Sequence, residues 1–436
     1  MTGTRLFAVT GDPVLHSKSP LLFEGAYPGS EGRAYFRLAA RSGEEALALF
    51  RELGLSGMNV TAPFKGEVAA LVARRSAEVE ALGAANTVVD DGGELHAYNT
   101  DVPGVRGAIE AAGVEIRGKE CLVLGAGGAG CAAALALRQA GGRVTVANRT
   151  VERARAVAAL VGCAHAGLGE GFPARVSGAG IIVNALPPGA VVVEEGWIAP
   201  RHVVLDAVYH GSGLREVATR RGAIYIDGSG WLVRQGIPAY RLFTGAEPDI
   251  RGMELALARQ PALPARVSFI GFMGAGKSTV ARIAAGMLGM PVFDSDREVE
   301  RRAGQSIPDL MATRGEARFR ALELEVLREL LDAASPSVIS CGGGAVLHPD
   351  ARRLLRERSI VVWLHASPAR CVSRIDVASR PLLARHDSPV EAAERLFNER
   401  KALYAQTAWL LVNTNGRAPK QVSQIVYDEI SKCIRG

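Results

Sequence analysis

Residues 271–279, GFMGAGKST, decide the fold of the second half of this 436-residue chain. A short apolar run at 267–270 precedes them and predicts a buried strand, and apolar residues at helical spacing follow them. Strand, G-x-x-x-x-G-K-S and helix together are typical of a loop whose backbone N–H groups bind phosphate. Lys277 would then reach the outer phosphates, and the Ser278 hydroxyl would bind Mg²⁺. The expected contacts to a nucleoside triphosphate are Gly274, Ala275, Gly276, Lys277, Ser278 and Thr279; a glycine-rich turn with an incidental lysine is the alternative.

The bulk composition is typical of a soluble globular protein with more than one domain. The chain is too long for a single core, and it is 48% hydrophobic and 22% charged. A formal net charge of +6 suits anionic small molecules. Aromatic residues make up only 6% and form no stacking platform, which argues against nucleic acid as a partner.

The cysteines and the apolar runs indicate a cytoplasmic protein. No C-x-x-C pair or metal-ligand spacing occurs, so small buried hydrophobes in a reducing compartment explain the cysteines better than disulfides. The beginning of the chain lacks the apolar core of a signal peptide. No run of about 18 apolar residues suggests a membrane span. The six cysteines are Cys121, Cys131, Cys163, Cys341, Cys371 and Cys433.

Four polar clusters in the first hundred or so residues could line a ligand site. They are 16–20 (HSKSP), 57–65 (GMNVTAPFK), 83–87 (GAANT) and 99–101 (NTD). Each ends or follows an apolar segment, as loops at strand ends do, so their polar groups could converge on a polyhydroxylated ligand. Lys65 falls in the first turn of an expected helix, where the helix dipole disfavours a cation; this argues against a merely solvated lysine. Ordinary polar turns are the alternative for each cluster taken alone.

A second nucleotide-binding motif, GAGGAG, lies at residues 125–130. An expected strand at 119–124 precedes it, and an alanine-rich helix and a strand at 143–147 follow. This is the setting of a dinucleotide-binding βαβ unit. The expected contacts to the dinucleotide are Gly125, Ala126, Gly127, Gly128 and Ala129.

The end of the second strand of that unit indicates which dinucleotide binds. An enzyme that uses NAD usually has an acidic residue there, whereas this chain has Asn148, Arg149 and Thr150, with Arg153 close behind. Arginine can bind a 2′-phosphate through paired, charge-assisted hydrogen bonds. The sequence therefore predicts NADP; a solvated helix start that is incidentally basic is the alternative.

The remaining pattern predicts the domain organisation. Strand-like runs recur at 181–184, 203–206 and 223–226 and alternate with helical stretches, as a parallel sheet requires. Residues 237–259 predict closing helices. The expected domains are a substrate-binding domain at 1–103, an NADP-binding Rossmann domain with its closing helices at 104–259, a linker at 260–265, and a P-loop domain at 266–436.

Read in order, the motifs of the first 260 or so residues resemble the shikimate dehydrogenase family. The resemblance implies that Ser17 and Ser19 bind the substrate carboxylate and that Lys65 and Asp101 form the catalytic pair. Such a pair can deliver a proton to the alkoxide formed when NADPH reduces a ketone, and it can stabilise the charge. Ser19, where quinate-accepting relatives tend to carry threonine, favours shikimate. The other substrate contacts implied are Thr61, Asn86, Tyr209 and Gln235.

Three departures from the family pattern lie on the cofactor side. The expected Asn-Ala-Thr-Pro has Leu186 at its third position, and residues 210–213 (HGSG) replace the proline and threonine expected after Tyr209. Trp231 stands where a methionine would pack on the nicotinamide. These changes bear on NADP binding and turnover more than on substrate identity. Two alternatives for the first half follow: a redox-inactive scaffold, or a quinate-preferring dehydrogenase.

The motifs after residue 266 resemble the shikimate kinase family as far as about residue 415. Beyond the phosphate loop, they are 294–296 (DSD), 315–323 (GEARFRALE), 341–344 (CGGG) and 380–383 (RPLL), with Arg400 and Tyr404 further on.

The kinase resemblance implies a role for each of these motifs. Asp294 would hold Mg²⁺ through water beside Ser278, and Asp296 would orient and deprotonate the substrate hydroxyl. Lys277 and Arg380 would neutralise the transferred phosphoryl group. Residues 376–388 would form a lid over ATP, with Arg374 stacking on adenine. Expected substrate contacts are the carboxylate-binding Arg320 and Arg400 and the closely approaching backbone of Gly342, Gly343 and Gly344.

The sequence thus predicts a bifunctional α/β enzyme of the shikimate pathway, which leads to aromatic amino acids. An N-terminal α/β substrate domain and a Rossmann NADP domain would reduce 3-dehydroshikimate, and a P-loop α/β domain of the nucleoside-monophosphate-kinase type would phosphorylate shikimate. The expected cofactors are NADP, ATP and Mg²⁺. The expected partners are small-molecule substrates, and the oligomeric state is left open.

Overall fold

The structure is a computed structural model that describes residues 3–27, 32–187, 189–190, 192–208, 212–259, 263–377, 380–384 and 386–435. Its contacts divide the chain into two compact units. The P-loop unit comprises Met1–Pro20, Ser30–Ser56 and Pro261–Gly436. The Rossmann unit comprises Leu21–Gly29 and Gly57–Gln260.

The strands within the described chain, in order, are β1 (Arg5–Gly11), β2 (Arg33–Ala39), β3 (Gly57–Val60), β4 (Arg74–Arg75), β5 (Thr87–Asp91), β6 (Glu94–Tyr98), β7 (Glu120–Leu124), β8 (Arg143–Ala147), β9 (Ala164–Ala166), β10 (Ile181–Asn184), β11 (Val203–Asp206), β12 (Ile224–Ile226), β13 (Val267–Ile270), β14 (Val292–Asp294), β15 (Val338–Ser340), β16 (Ile360–His365) and β17 (Leu410–Asn413).

The α-helices within the described chain are α1 (Ser19–Gly25), α2 (Gly43–Leu53), α3 (Lys65–Leu71), α4 (Ala77–Leu82), α5 (Asp101–Ala111), α6 (Gly128–Gln139), α7 (Val151–Val161), α8 (Phe172–Gly178), α9 (Gly213–Arg220), α10 (Gly228–Thr244), α11 (Ile250–Arg259), α12 (Lys277–Leu288), α13 (Ser295–Ala303), α14 (Ile307–Asp332, kinked at Gly315), α15 (Pro349–Arg358), α16 (Pro368–Val372), α17 (Pro381–Ala384), α18 (Pro389–Thr407) and α19 (Pro419–Arg435).

The P-loop unit contains parallel strands in the order β14-β15-β13-β16-β17-β2-β1. The strands β13, β15, β16 and β17 are buried along their whole length, as expected for parallel strands covered by helices on both faces. The loop that follows β13 opens at the carboxyl edge of the sheet, where β14 and β15 also end. Asp294 and Ser340 are register partners at that edge, so the fold brings the phosphate loop and the DSD motif together.

One pairing in this sheet joins the two ends of the sequence. Strand β17 pairs in parallel with β2, and Leu410 lies opposite Arg37. The sequence analysis did not predict this pairing, because nothing in the local pattern of an apolar strand identifies a neighbour so distant along the chain.

The Rossmann unit contains a six-stranded parallel sheet in the order β12-β11-β10-β7-β8-β9. This is the strand order of dinucleotide-binding sheets, and the loop after the central strand β7 carries the GAGGAG motif. The glycines are needed there: Gly125 has φ +104°, and a Cβ on Gly130 would lie 2.1 Å from the Gly125 carbonyl oxygen. The predicted Rossmann fold is confirmed.

The same unit contains β3, β5, β6 and β4, paired in that order. Helix α3 begins at Lys65 after β3, and α5 begins at Asp101 just after β6. Helix α10 passes very close to α5, because a Cβ on Gly104 would lie 2.6 Å from the Cβ of Gln235. This close packing places Gln235 beside the start of α5.

Two predicted segments differ from the structure. The first closing helix begins at Gly228 rather than at 237, because the Asp227 carboxylate caps it through the Gly230 N–H and so tolerates a glycine-rich first turn. The expected irregular lid at 376–388 includes the short helix α17, which is anchored by the fully buried Leu383; residues 378–379 and 385 lie outside the described residues.

Other expectations concern the linker, the cysteines and the membrane. Residues 260–262 of the expected linker lie outside the described residues. The expected domain boundaries were drawn from sequence motifs, whereas the two units of the structure are defined by contacts. The expected boundaries therefore stay a prediction. All six cysteines are free thiols, as expected. Among the described helices, none combines the length and the apolar character that a bilayer crossing needs.

Candidate active sites

The phosphate loop of the P-loop unit opens into a cavity of about 440 Å³. Gly274 has φ +78°, and a Cβ there would lie 2.4 Å from the Cys371 carbonyl oxygen, so the loop has room only for glycine. Lys277 Nζ donates to the carbonyl oxygens of Gly271 (3.0 Å) and Phe272 (3.1 Å). Burial lowers the pKa of Lys277, although the nearby Asp296 opposes this shift. The ammonium group of Lys277 thus lies within the phosphate loop, and its hydrogen-bond acceptors there are two neutral carbonyl oxygens.

Ser278 and Asp294 form an oxygen-rich corner of this cavity. The Ser278 hydroxyl donates to Asp294 Oδ2 at 2.8 Å and lies 3.2 Å from the Ser340 hydroxyl. The other oxygen of Asp294, Oδ1, accepts from the Asp296 backbone N–H at 3.2 Å, which fixes the carboxylate. A hydroxyl and a carboxylate at this separation are hard donors that suit Mg²⁺, which binds few protein ligands and keeps several waters.

Asp296 is the carboxylate whose protonation is most strongly perturbed at this site. Burial, the neighbouring Glu323 and Asp294 raise the pKa of Asp296 to about 6. A Cβ at Gly342 would lie 2.3 Å from Asp296 Oδ1, so glycine is required for the carboxylate to lie there. The Gly342 N–H donates to Ser295 Oγ at 2.9 Å. This N–H therefore already has a partner, and the structure explains the first glycine of the CGGG motif by its closeness to Asp296.

The other two glycines of that motif also lie beside side chains that belong to the kinase motifs. A Cβ at Gly344 would lie 2.5 Å from Arg320 Nη1, so the guanidinium occupies the space that a side chain would take. Arg320 Nη1 donates to Glu323 at 2.8 Å. The Gly343 carbonyl accepts from the Tyr404 hydroxyl at 2.9 Å. Burial raises the pKa of Tyr404 to about 12, and the neighbouring Arg400 opposes this shift.

Three arginines line the same cavity: Arg374 and Arg380 lie close together in sequence, and Arg417 follows β17. Arg380 lies in the expected lid. Arg374 donates to the Thr414 hydroxyl at 3.1 Å and to its carbonyl at 2.9 Å. Arg417 was missed by the sequence analysis, although the polar run at 413–416 (NTNG) after an apolar strand was a signal that could have indicated it. Its guanidinium donates to Glu45 at 2.5 and 2.7 Å.

The serine pair of the HSKSP motif also belongs to the P-loop unit. The Ser17 hydroxyl lies 3.3 Å from the Ser19 hydroxyl and accepts from the Ser19 N–H at 3.3 Å. The Ser17 carbonyl accepts two hydrogen bonds from the Arg37 guanidinium, at 3.0 and 2.7 Å. The two hydroxyls are therefore adjacent, on a loop whose backbone is fixed by the Arg37 guanidinium.

The expected catalytic pair lies in the Rossmann unit. Lys65 Nζ donates to Asp101 Oδ2 at 2.6 Å, and both side chains are largely shielded from water. A buried amide network lies alongside: Asn86 Oδ1 accepts from the Thr100 N–H at 2.7 Å, and Gln235 Oε1 accepts from the Thr100 hydroxyl at 3.2 Å. Thr61, a further expected contact, is half-exposed in the loop between β3 and α3.

The Rossmann loop has the form that a bound dinucleotide needs. Cβ atoms on Gly127 and Gly128 would meet nothing within 4 Å, so the start of α6 is open. Asn148 donates to the Thr150 carbonyl at 3.0 Å, at the N-terminus of α7. Arg149 and Arg153 are exposed, and neither has an ion-pair partner among the residues described. These features fit a 2′-phosphorylated dinucleotide.

The three departures from the family pattern have different outcomes. Trp231 is buried, and its Nε1–H donates to the carbonyl oxygen of Asp101, a member of the expected catalytic pair, at 3.4 Å. The Leu186 N–H donates to Asn184 Oδ1 at 3.4 Å, which keeps the turn after β10 closed. Tyr209 and the next two residues lie outside the described residues.

The fold and the two sites define a dinucleotide-dependent oxidoreductase joined to a P-loop phosphotransferase. Comparisons with family models agree. Residues 9–88 match the shikimate dehydrogenase substrate binding domain, residues 108–200 match shikimate / quinate 5-dehydrogenase, and residues 273–431 match shikimate kinase.

Individual relatives support the same assignment for the first part. A shikimate dehydrogenase (NADP(+)) from Halobacterium salinarum is 37% identical over 262 residues, which is 58% of this chain and 98% of that protein. A Thermus thermophilus shikimate 5-dehydrogenase solved with NADP(H) and shikimate is 35% identical, with a TM-score of 0.53, covering 58% of this chain and 99% of the other. A Corynebacterium glutamicum quinate dehydrogenase solved with NAD is 28% identical, with a TM-score of 0.55, covering 59% and 99%.

The chain belongs to the shikimate dehydrogenase family, and its second part is a shikimate kinase domain. It is thus a bifunctional enzyme of the shikimate pathway, as the motifs predicted. NADP for the first activity, and ATP with Mg²⁺ for the second, are confirmed as the cofactors of these families.

Proposed function

We propose that the two halves catalyse consecutive steps: NADPH-dependent reduction of 3-dehydroshikimate to shikimate, and transfer of the ATP γ-phosphoryl group to the 3-hydroxyl of shikimate. When bound, NADPH supplies the hydride, and ATP with Mg²⁺ supplies the phosphoryl group. The observation that carries the first step is the 2.6 Å contact between Lys65 and Asp101.

In the reduction, Lys65 protonates the developing alkoxide and stabilises its charge, while Asp101 holds the ammonium in place. The network of Asn86, Thr100 and Gln235 supplies amide groups for the ring hydroxyls. Thr61 and Tyr209 are further contacts inferred from the family pattern. Ser17 and Ser19 bind the carboxylate through their hydroxyls.

In the phosphorylation, Ser278 and Asp294 hold the metal ion. Asp296 orients the attacking hydroxyl and accepts its proton. Lys277 and Arg380 neutralise charge on the phosphoryl group, so that catalysis consists mainly of alignment and electrostatic stabilisation. Arg320 and Arg400 bind the substrate carboxylate, and Gly342, Gly343 and Gly344 allow close approach. The remaining phosphate-loop contacts are Gly274, Ala275, Gly276 and Thr279.

The cofactor of the reduction is proposed to bind on the Rossmann loop. The residues that would hold the pyrophosphate are Gly125, Ala126, Gly127, Gly128 and Ala129, and those that would hold the 2′-phosphate are Arg149, Arg153, Asn148 and Thr150. NADP then binds in preference to NAD, because the arginines have no acidic competitor at the end of β8.

The test is NADP⁺ reduction with shikimate or quinate, on the wild-type chain and on Lys65→Ala. We expect turnover with shikimate and a loss of about 10²–10³-fold in kcat for the variant, the usual effect of removing one electrostatic group. No turnover with either acid would support the inactive-scaffold alternative. Preference for quinate would support the alternative of a quinate-preferring dehydrogenase. The match to the shikimate / quinate family model and the similarity to a quinate dehydrogenase are consistent with that alternative.

A further inference from the structure

The serine loop (residues 12–19) is held in place by a helix of the kinase half. The loop follows β1 and contains the buried Val14 and Leu15, and it ends in the serine pair. The Ser17 N–H donates to the Val14 carbonyl at 2.9 Å, so the position of the serines depends on the position of Val14.

Glu429 of α19 is the side chain that binds the backbone of this loop. Its carboxylate accepts from the Val14 N–H at 3.1 and 2.9 Å and from the Leu15 N–H at 2.8 Å. Glu429 is only 3% exposed. Hydrogen bonds to a charged acceptor are about twice as strong as neutral ones, and a buried N–H that loses its acceptor is costly. Two adjacent backbone donors are thus fixed by one carboxylate from a residue more than four hundred positions later.

Further contacts hold the same loop from the kinase side. The Arg37 guanidinium, which donates to the Ser17 carbonyl, lies over the Trp409 ring at 5.9 Å, and the Arg37 N–H donates to the Trp409 carbonyl at 3.2 Å. Arg41 pairs with Asp12 at 2.9 Å and with Asp428, the neighbour of Glu429, at 3.5 Å. The loop therefore has contacts to the kinase half at its beginning, its middle and its end.

We propose that Glu429 is a positioning residue of the dehydrogenase, supplied by the kinase domain, which sets the conformation in which Ser17 and Ser19 bind the substrate carboxylate. This inference rests on the proposed role of the two serines. It follows that the dehydrogenase of this chain depends on the presence of α19 for its affinity for shikimate.

The test is steady-state NADP⁺ reduction by the full-length chain, with shikimate and NADP⁺ varied separately. The variants are Glu429→Gln, which keeps the volume and one acceptor oxygen, Glu429→Asp, which keeps the charge but shortens the reach, and Ser17→Ala. Gln424→Ala is the matched control, because Gln424 is exposed on the same helix and bonds to Asp428 one turn further on. Kinase activity of each variant reports whether the chain is folded.

We expect both Glu429 variants to raise the KM for shikimate about tenfold, in line with loss of hydrogen bonds to a charged acceptor. The KM for NADP⁺, the kcat of the dehydrogenase and the kinase activity should stay within about twofold, and Gln424→Ala should match the wild type. A merely structural role would lower both activities together. If one Glu429 variant loses both activities through misfolding, the other decides.

A double variant, Ser17→Ala with Glu429→Gln, distinguishes this inference from the proposed function. If Glu429 acts through the serines, replacing it should hardly change the KM for shikimate in a chain that already lacks the Ser17 hydroxyl. The two substitutions would then weaken the same contact with the substrate carboxylate. An unchanged KM for shikimate in both folded Glu429 variants, or fully multiplied effects in the double variant, would overturn the inference. An unchanged KM in Ser17→Ala would instead overturn the proposed role of the serines.

Discussion

Lys65 and Lys277 are both the first residue of a helix, and the two active sites hold them in opposite ways. A cation at this position is opposed by the helix dipole, so each lysine needs compensation. Lys65 has a carboxylate partner, Asp101, at 2.6 Å. Lys277 has two neutral backbone carbonyls at 3.0 and 3.1 Å.

This difference corresponds to the charge of the group that each lysine is proposed to meet. A lysine that is already paired with a carboxylate suits an uncharged ketone. It can donate a proton to the ketone oxygen, and its charge is not free to bind another anion tightly. A lysine whose hydrogen-bond acceptors are neutral carbonyls has no carboxylate in direct contact to neutralise it, which suits a polyphosphate. Under the proposed roles, the same residue type at the same helix position serves proton transfer in one site and charge neutralisation in the other.

The largest effect that we expect comes from Asp296→Asn in the kinase site. The amide keeps the shape of the side chain but cannot accept the proton of the substrate hydroxyl. We expect kcat for shikimate phosphorylation to fall by about 10²–10⁴-fold, the range for general acid–base groups. A coupled ADP-release assay measures the rate, and equilibrium dialysis with ATP measures binding, which should stay close to that of the wild type.

The same variant sharpens the comparison of the two halves. Its dehydrogenase activity should equal that of the wild type, since Asp296 lines the cavity at the phosphate loop of the P-loop unit. Phosphorylation at the wild-type rate would show that Asp296 does not accept the proton of the substrate hydroxyl. The comparison of the two active sites would then depend only on the different partners of Lys65 and Lys277.

A smaller effect is expected from Arg149→Ala combined with Arg153→Ala. Both side chains are exposed at the start of α7, where water screens charges, so we expect their charge-assisted hydrogen bonds to a phosphate to contribute about 1.5–3 kcal/mol for the pair. The KM for NADP⁺ should rise by about 10–100-fold, while the KM for NAD⁺ should change little. Initial rates with each dinucleotide at saturating shikimate measure both values.

Arg220→Ala is the control for that experiment, because it removes another exposed positive charge of the same unit, one that pairs with Glu195. Its kinetics should match those of the wild type. Equal losses with NADP⁺ and NAD⁺ in the double variant would mean that the arginines do not select the 2′-phosphate.

Sequence reasoning succeeded where a function requires a particular residue at a fixed position. Both glycine-rich loops were predictable, because only glycine leaves room for the backbone approaches seen at Gly130 and Gly274. The pairing of Lys65 with Asp101 also followed from the resemblance.

Sequence reasoning failed where the contact depends on the tertiary structure alone. The carboxylate of Glu429 and the guanidinium of Arg417 look like ordinary surface charges in their helical or loop context. The tertiary structure, in which β17 pairs with β2, places them against the first fifty or so residues. The glycines at 342 and 344 were predicted for close approach of the substrate to the backbone, which stays a prediction. The structure adds a second reason for them, since a Cβ at either position would crowd the side chain of Asp296 or Arg320, and no local pattern reveals that.

The smallest expected effect concerns Glu45, which pairs Arg417 in the kinase cavity as Asp101 pairs Lys65. Burial raises the pKa of Glu45, but hydrogen bonds from Arg417, Asn413 and the Arg41 N–H outweigh it and leave the pKa below its ordinary value. A carboxylate with a lowered pKa in the folded state stabilises the fold above the ordinary pKa, and this stabilisation is lost as the pH falls through the folded value. Glu45→Gln should therefore lower the free energy of unfolding by about 1–3 kcal/mol at pH 7.

The measurement is the urea midpoint of wild type and Glu45→Gln between pH 7 and pH 3, with Glu80→Gln as a control from an exposed ion pair. The gap between wild type and Glu45→Gln should be largest at pH 7, should shrink below the ordinary carboxyl pKa, and should close only when the pH has fallen through the lowered pKa of the folded state, where the wild-type side chain becomes protonated. The control should differ from the wild type by a few tenths of a kcal/mol at most. A gap that stays constant with pH would show that Glu45 stabilises the fold through packing and not through its charge.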